Sequence, residues 1–217
     1  METYPGKYIV LEGHDGAGKT TQINNTADTL ASRGHEVLVI EEPGSQDPSQ
    51  GIPIANEIRR VIKNGELEKD GYTNLLLFTA ARHELWRQQI APALKLGKYV
   101  LSGRSWLSSV VYQGRGEGLD LELIEQTTRT FTHPRYMTPD LTLILAFENE
   151  QERLARVAGR GKTQETPDTF EARGDDFQSR VQQGYSDVAG RYKYPTINAQ
   201  QSPDEITEQI LVHIDQL

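Results

Sequence analysis

Gly13-His14-Asp15-Gly16-Ala17-Gly18-Lys19-Thr20 fits the pattern G-x-x-x-x-G-K-[ST] at every fixed position. Those residue types suit one kind of chemistry. A triphosphate needs many hydrogen-bond donors at short range, and glycines let a loop fold with its backbone N–H groups pointing inward. The helix that follows adds the partial positive charge of its N-terminus. Lys19 can reach the outer phosphates, and the Thr20 hydroxyl can hold Mg²⁺. Thr21 continues the first helical turn. His14 lies inside the loop, but its neighbours fix the motif, and its side chain is given no chemistry.

Such a loop works only between a strand and a helix. Tyr8-Ile9-Val10-Leu11 before it reads as a buried strand, and Thr20–Ser32 after it reads as a helix. Apolar runs recur at Val37–Ile40, Tyr99–Leu101 and Leu141–Phe147, with a last short strand near Pro195–Asn198. Helical patterns separate them: Ile54–Lys63, Asn74–Leu96, Ser105–Gln113 and Asp120–Phe131. Gly114-Arg115-Gly116-Glu117-Gly118 reads as a connection. Ser202-Pro203-Asp204-Glu205 opens a terminal helix with a cap, a first-turn proline and acids at its positive end. Its apolar stripe is Ile206, Ile210, Leu211 and Ile214. Continuous apolar strands alternating with helices predict a parallel sheet covered on both faces.

The bulk numbers agree. A chain of 217 residues with no repeat and no obvious linker suits one domain, residues 1–217. Hydrophobic residues make up 36% and charged residues 25%, as in a water-soluble globule. The net charge of −8 argues against sequence-independent nucleic-acid binding. With no cysteine there is no disulfide, zinc–thiolate or thiol chemistry. No run has the apolar length of a membrane span, and no signal-peptide pattern opens the chain, so a cytoplasmic location is expected.

In open α/β sheets, ligands sit beyond the carboxyl ends of the strands. The residues just after each strand are the phosphate loop, Glu41-Glu42-Pro43-Gly44, Ser102-Gly103-Arg104-Ser105, and Glu148. After the fourth strand, Glu150–Val157 reads as a short basic helix. Residues 159–168 are polar and open on Gly159-Arg160-Gly161-Lys162, which suits a lid over phosphates. Lys19, Arg104, Arg156 and Arg160 could supply the cations that phosphoryl transfer requires.

At this point the chain resembles the thymidylate kinases. The likeness runs from about Lys7 to about Gly190. It rests on Leu11-Glu12-Gly13 through Gln22, Glu42-Pro43-Gly44, Glu57-Ile58-Arg59, Leu77-Phe78-Thr79-Ala80-Ala81-Arg82 and Tyr112-Gln113-Gly114. The resemblance implies a P-loop three-layer α/β/α sandwich with a five-stranded parallel sheet and a short lid. It implies transfer of the ATP γ-phosphate to dTMP, with Mg²⁺ and a homodimer whose contact the Leu75–Trp86 region could supply. Gly13–Thr21 would bind ATP. Phe78 would stack on thymine, and Arg82 would donate to the base carbonyl at position 4. Ser109 and Gln113 would meet the base edge, and Tyr112 would favour a deoxyribose. Arg59 and Arg104 would hold the acceptor's phosphate, Asp15 would lie near the 3′-hydroxyl or that phosphate, and Glu42 and Pro43 would border it. Lys19, Arg104, Arg156 and Arg160 would neutralise the transferring phosphoryl.

The same residues have plainer readings. Phe78 fits a core position, and Arg82 fits a solvated helix face. Tyr112 and Gln113 could end a helix, Arg156 and Arg160 could form a basic face, and Glu42 could be a loop carboxylate. The chain also departs from the family pattern. It has Gly103 where an Asp is usual before the arginine, Glu41 for an Arg, Ala146 for an Asp, and Asp168-Thr169-Phe170-Glu171 for Asp-Arg-hydrophobe-Glu. Two other functions therefore stay open: a kinase for another, modified pyrimidine deoxynucleotide, and a nucleotide-binding module with weakened catalysis.

Overall fold

The computed structural model describes residues 3–147, 152, 153, 156, 169, 170 and 173–217. Five parallel strands form its centre: β1 Lys7–Gly13, β2 Val37–Ile40, β3 Tyr99–Ser102, β4 Leu141–Ala146 and β5 Thr196–Asn198, in spatial order β2-β3-β1-β4-β5. Every pairing is parallel; β1 runs beside β3 with Ile9 against Leu101, and beside β4 with Leu11 against Leu143. The expected five-stranded P-loop α/β sandwich is the observed fold.

Strand geometry alternates side chains between faces, and both faces are apolar here. Ile9, Leu11, Leu101, Leu143 and Leu145 pack under α1 (Lys19–Ser32) and the last helix, α9 (Pro203–Ile214), through Ile23, Leu30, Ile206 and Ile210. Tyr8, Val10, Val100 and Ile144 face the other way. Their layer holds α2 (Pro53–Lys63), α3 (Gly71–Leu85), α4 (Ala91–Lys95), α5 (Trp106–Ser109), α6 (Leu121–Phe131), α7 (Pro134–Met137) and α8 (Asp175–Tyr192). Among the described residues no helix is long and apolar enough to cross a membrane.

The terminal helix follows its sequence. Ser202 Oγ accepts from the Glu205 N–H while Glu205 reaches back to the Ser202 N–H, a reciprocal cap. Ile206, Ile210 and Ile214 are buried, and Leu211 packs partly against them.

Three readings need correction. The helix expected over Asn74–Leu96 begins at Gly71, where Asp70 caps it, and passes through a π-helical turn at Trp86–Ile90 into α4. The supposed connection after Gln113 is helical: a π-helical run covers Val110–Gly116. Its glycines serve close packing, because a Cβ on Gly114 would lie 2.5 Å from Leu121 and one on Gly116 would lie 2.5 Å from Phe177. Finally, α7 and the long α8 carried no sequence expectation, although α8 buries Phe177, Val181, Tyr185 and Val188 at helical spacing. The basic helix over Glu150–Val157 and the lid at 159–168 lie mostly or wholly outside the described residues.

Ile210 is fully buried and Val212, two residues on, is half exposed. Ile210→Ala should cost about 2–5 kcal/mol in urea denaturation, whereas Val212→Ala should stay within about 0.5 kcal/mol.

Candidate active site

The phosphate loop connects β1 to α1 at the carboxyl edge of the sheet. Gly13 could not carry a side chain, because a Cβ there would lie 2.4 Å from the Leu145 carbonyl oxygen. Gly18, at φ 85°, takes the left-handed turn that starts α1. Lys19 folds over the loop and donates to the carbonyls of Gly13 at 2.8 Å and His14 at 3.1 Å. Thr20 and Thr21 are exposed at the start of the helix.

Asp15 is where three chain segments meet. Its Oδ1 lies 2.5 Å from Arg104 Nη2 and 3.8 Å from Lys19 Nζ, and its Oδ2 accepts from the Tyr112 hydroxyl at 3.1 Å. Burial alone would raise the pKa of this carboxyl. The cations Arg104, Lys19 and Lys63 outweigh burial and hold it well below the usual carboxylate range. Burial also drives the Tyr112 hydroxyl well above the ordinary tyrosine range, helped by Asp15, so it stays a neutral donor. Arg104 lies 5.2 Å over the Tyr112 ring and also donates to Ser108 and Tyr185. Asp15, Lys19, Arg104 and Tyr112 thus form one assembly, as four of the sequence-selected residues.

A second assembly lies deeper. Arg82 is not on a solvated face: its side chain is 1% exposed, as is that of Glu42. Its Nε donates to Glu42 at 2.6 Å, Nη1 to Ser109 Oγ at 2.7 Å, and Nη2 to the Ser105 carbonyl at 2.9 Å. The other Glu42 oxygen accepts from Tyr136 at 2.6 Å. A buried carboxylate with a protein donor on each oxygen positions its neighbours. Pro43 follows it through a cis peptide bond. Phe78 is half-buried with Arg82 5.4 Å from its ring centroid, so it borders this assembly and is not wholly committed to the core.

Gln113 is buried. Its Nε2 donates to Glu117, which also accepts from Asn74 and Arg173, while its Oε1 has no partner among the described residues. Arg59 lines a groove on α2 with Arg60 and Lys63. Arg156 is exposed, 5.2 Å over the Phe147 ring, and Arg160 lies outside the described residues. Among the described residues after β4, Arg153, which is buried, reaches the phosphate loop and donates to the Asp15 carbonyl at 3.2 Å.

Sequence reasoning missed the parts that fasten these groups together. Glu12 is fully buried and accepts from Ser105 N–H at 2.6 Å, Ser108 Oγ at 2.8 Å and Tyr185 OH at 3.1 Å. Phe170 packs between Phe78 and Tyr112, with ring centroids 5.9 and 5.6 Å away. His14 bonds Gln178 of α8 at 2.9 Å, and Gln178 donates to the Phe170 carbonyl. A carboxylate inside an apolar strand was the available signal for Glu12; the others carried none.

The departures from the family pattern also have places. A Cβ on Gly103 would meet only Ile23 Cδ1, at 3.0 Å, so little stands in the way of a side chain there. Glu41 is exposed and accepts from the Gln46 N–H at 3.3 Å. No cluster of three or more acidic, histidine or cysteine side chains suited to a metal occurs among the described residues.

Fold and loop together define a P-loop α/β protein whose cleft gathers cations. Comparison with known proteins narrows the class. The family description "Thymidylate kinase" matches residues 11–210. A thymidylate kinase of Pelotomaculum thermopropionicum is 39% identical over 98% of this chain and 91% of its own length. One of Deinococcus radiodurans is 36% identical over 94% of each chain, and one of Ruegeria pomeroyi 34% identical over 97% of each. The chain belongs to the thymidylate kinase family.

The buried pair makes a testable demand. Arg82→Met should destabilise by about 3–5 kcal/mol by leaving Glu42 buried without its cation. Adding Glu42→Gln should recover a large part of that loss, as a double-mutant cycle in guanidinium denaturation would measure.

Proposed function

We propose that this protein transfers the γ-phosphate of ATP to dTMP, giving dTDP and ADP. One observation carries the reading. The phosphate loop and the Phe78–Arg82 assembly, which marks the resemblance to enzymes named thymidylate kinase, are joined by two consecutive residues: Arg104 bonds Asp15, and the Ser105 carbonyl accepts from Arg82.

Phosphoryl transfer needs placement and charge neutralisation more than covalent help. The loop amides and Lys19 take the donor's outer phosphates; Lys19 then exchanges the Gly13 and His14 carbonyls for phosphate oxygens. Arg59 and Arg104 hold the acceptor's phosphate, with Asp15 orienting Arg104 through their short bond. Phe78 and Phe170 form apolar walls for the base. Arg82 keeps N–H groups beyond its three protein bonds with which to meet the carbonyl at position 4, and Glu42, Ser109 and the Ser105 carbonyl hold it there. Gln113 brings its unpartnered amide oxygen to the base edge. Tyr112, kept neutral and fixed on Asp15, restricts the sugar and favours deoxyribose. Arg153 steadies the loop, and Arg156 and Arg160 help neutralise the transferring phosphoryl. Thr20 would hold Mg²⁺, which when bound screens the charge of the donor phosphates. The transfer is direct and in line, with no covalent enzyme intermediate. Consumption of free nucleotides argues for a cytoplasmic location.

We also propose a homodimer through α3 and α6. Tyr72 and Leu76 are each 58% exposed and Phe131 is 56% exposed, a concentration of large apolar side chains on neighbouring helices. His83 on α3 bonds the Phe131 carbonyl and holds the two helices in register.

Coupled ADP release with Mg-ATP should be fast with dTMP and much slower with dUMP, dCMP or dGMP; release indifferent to the acceptor would refute the assignment. Lys19→Ala should lower kcat by about 100-fold or more, the scale of losing one charge-stabilising group. Leu76→Glu should convert a dimer to a monomer in light scattering at micromolar protein; an unchanged mass would exclude this face.

A further inference from the structure

We propose that Glu117 is a positioning residue for base selection: it holds the Gln113 amide with its oxygen turned to the base, and so admits a pyrimidine that carries an N–H at position 3. The inference rests on the dTMP kinase reading above and adds to it a residue that neither the loop motif nor the resemblance selected.

Two helical faces meet here. Asn74, Phe78 and Arg82 stand at steps of four on one face of α3. Ser109, Gln113 and Glu117 repeat that spacing from the end of α5 through the π-helical run. Both ends of the two rows are bonded: Asn74 Nδ2 donates to Glu117 Oε1 at 2.9 Å, and Arg82 Nη1 donates to Ser109 Oγ at 2.7 Å. Phe78 and Gln113 are the middle members of the two rows, which puts the buried Gln113 amide level with the ring that walls the base.

Glu117 decides which way that amide faces. Its side chain is 5% exposed and is paired with Arg173 at 2.6 Å, so it is a carboxylate that only accepts. Gln113 must give it the Nε2 end, at 3.1 Å, and Oε1 is left with no partner among the described residues. A buried acceptor in that position calls for a donor. Thymine supplies one, because its N3–H stands next to the carbonyl at position 4 that Arg82 meets. Cytosine reverses both groups, with a lone pair at N3 and an amino group at position 4. Arg173 lies 5.4 Å over the Phe170 ring, and Phe170 packs on Phe78, so the Glu117 ion pair borders the same walls.

The two oxygens of Glu117 are unequal. Asn74 and Arg173 both donate to Oε1, and Gln113 donates to Oε2. In a Glu117→Gln variant the oxygen therefore stays with Asn74 and Arg173, and an NH2 group faces Gln113. The Gln113 amide then turns over, gives that NH2 its oxygen and presents Nε2 to the base. A carboxylate that joins α3, the π-helical run and Arg173 also staples the fold. That role alone predicts a lower Tm and equal losses with every acceptor.

The test compares dTMP with 5-methyl-dCMP, which keeps the methyl group, sugar and phosphate and changes only the groups at N3 and position 4. kcat/KM for each is measured under Mg-ATP with the full-length enzyme and its Glu117→Gln variant. The wild type should favour dTMP. Glu117→Gln should lower kcat/KM for dTMP about tenfold, the loss of one hydrogen bond, and raise that for 5-methyl-dCMP, so that the preference narrows by more than that factor. The double variant Glu117→Met/Arg173→Met leaves no unpaired buried charge and guards against a single variant that does not fold. Its Gln113 amide is unfixed, and the preference should narrow there too. An unchanged preference in either variant, when active, overturns the proposal, and so do equal losses with both nucleotides. Those outcomes leave the dTMP kinase reading standing. A wild-type enzyme that releases no ADP with dTMP sinks that reading, and this inference with it.

Discussion

Glu12 is the constraint around which the site is built. It is a carboxylate with no exposure, placed at the end of a central strand, where a bare polar group costs several kcal/mol. The cost is met by donors from two other parts of the chain. Ser105 and Ser108 come from the start of α5, and Tyr185 comes from α8, 173 residues away in sequence. Satisfying one buried acid therefore fixes α5 and α8 against the strand that carries the phosphate loop. Arg104 leaves β3 just before those serines, so its approach to Asp15 follows from the same bonds.

The second buried charge system works alongside it. Arg82 reaches Ser109 and the Ser105 carbonyl, while Glu42 joins it to Tyr136. Ser105 belongs to both networks: its hydroxyl and N–H serve Glu12, and its carbonyl serves Arg82. The strand that carries the phosphate loop and the Arg82–Glu42 assembly are thereby tied through Ser105. Interiors that must pair every polar group resist partial rearrangement, which suits a reaction that depends on holding two anions in line.

Charge explains how an acidic protein presents a cationic cleft. The net charge is −8, yet Lys19, Arg82, Arg104 and Arg153 gather around the phosphate loop and the residues after β3. Asp15 and Glu42 orient two of these cations without exposing them. Gly103 removes one carboxylate from this neighbourhood, and the space there would admit one again with only the tip of Ile23 in the way. The site therefore holds more cationic than acidic side chains among the residues named here.

The sequence by itself determined whatever is local. The phosphate loop is eight contiguous residues between a strand and a helix, and its conformation depends on its own glycines, so it could be read directly. The three central strands could be read because they are buried on both faces and mostly apolar, and the last helix because its cap and stripe lie within one short segment. The residues Phe78, Arg82, Tyr112 and Gln113 were found through family likeness, and their chemistry was not legible from their own neighbours. Arg82 reads as an ordinary surface arginine until the fold brings Glu42 to it from 40 positions away. Only the tertiary structure decided that the Gly114–Gly116 stretch is a packed helix, that Arg153 reaches the phosphate loop, and that Glu12, Tyr136, Phe170 and Tyr185 belong to the site. The physical reason is common to all of these. A hydrogen bond or close packing contact is specified by both partners, and when the second partner lies in another element, one segment's sequence holds only half of the interaction.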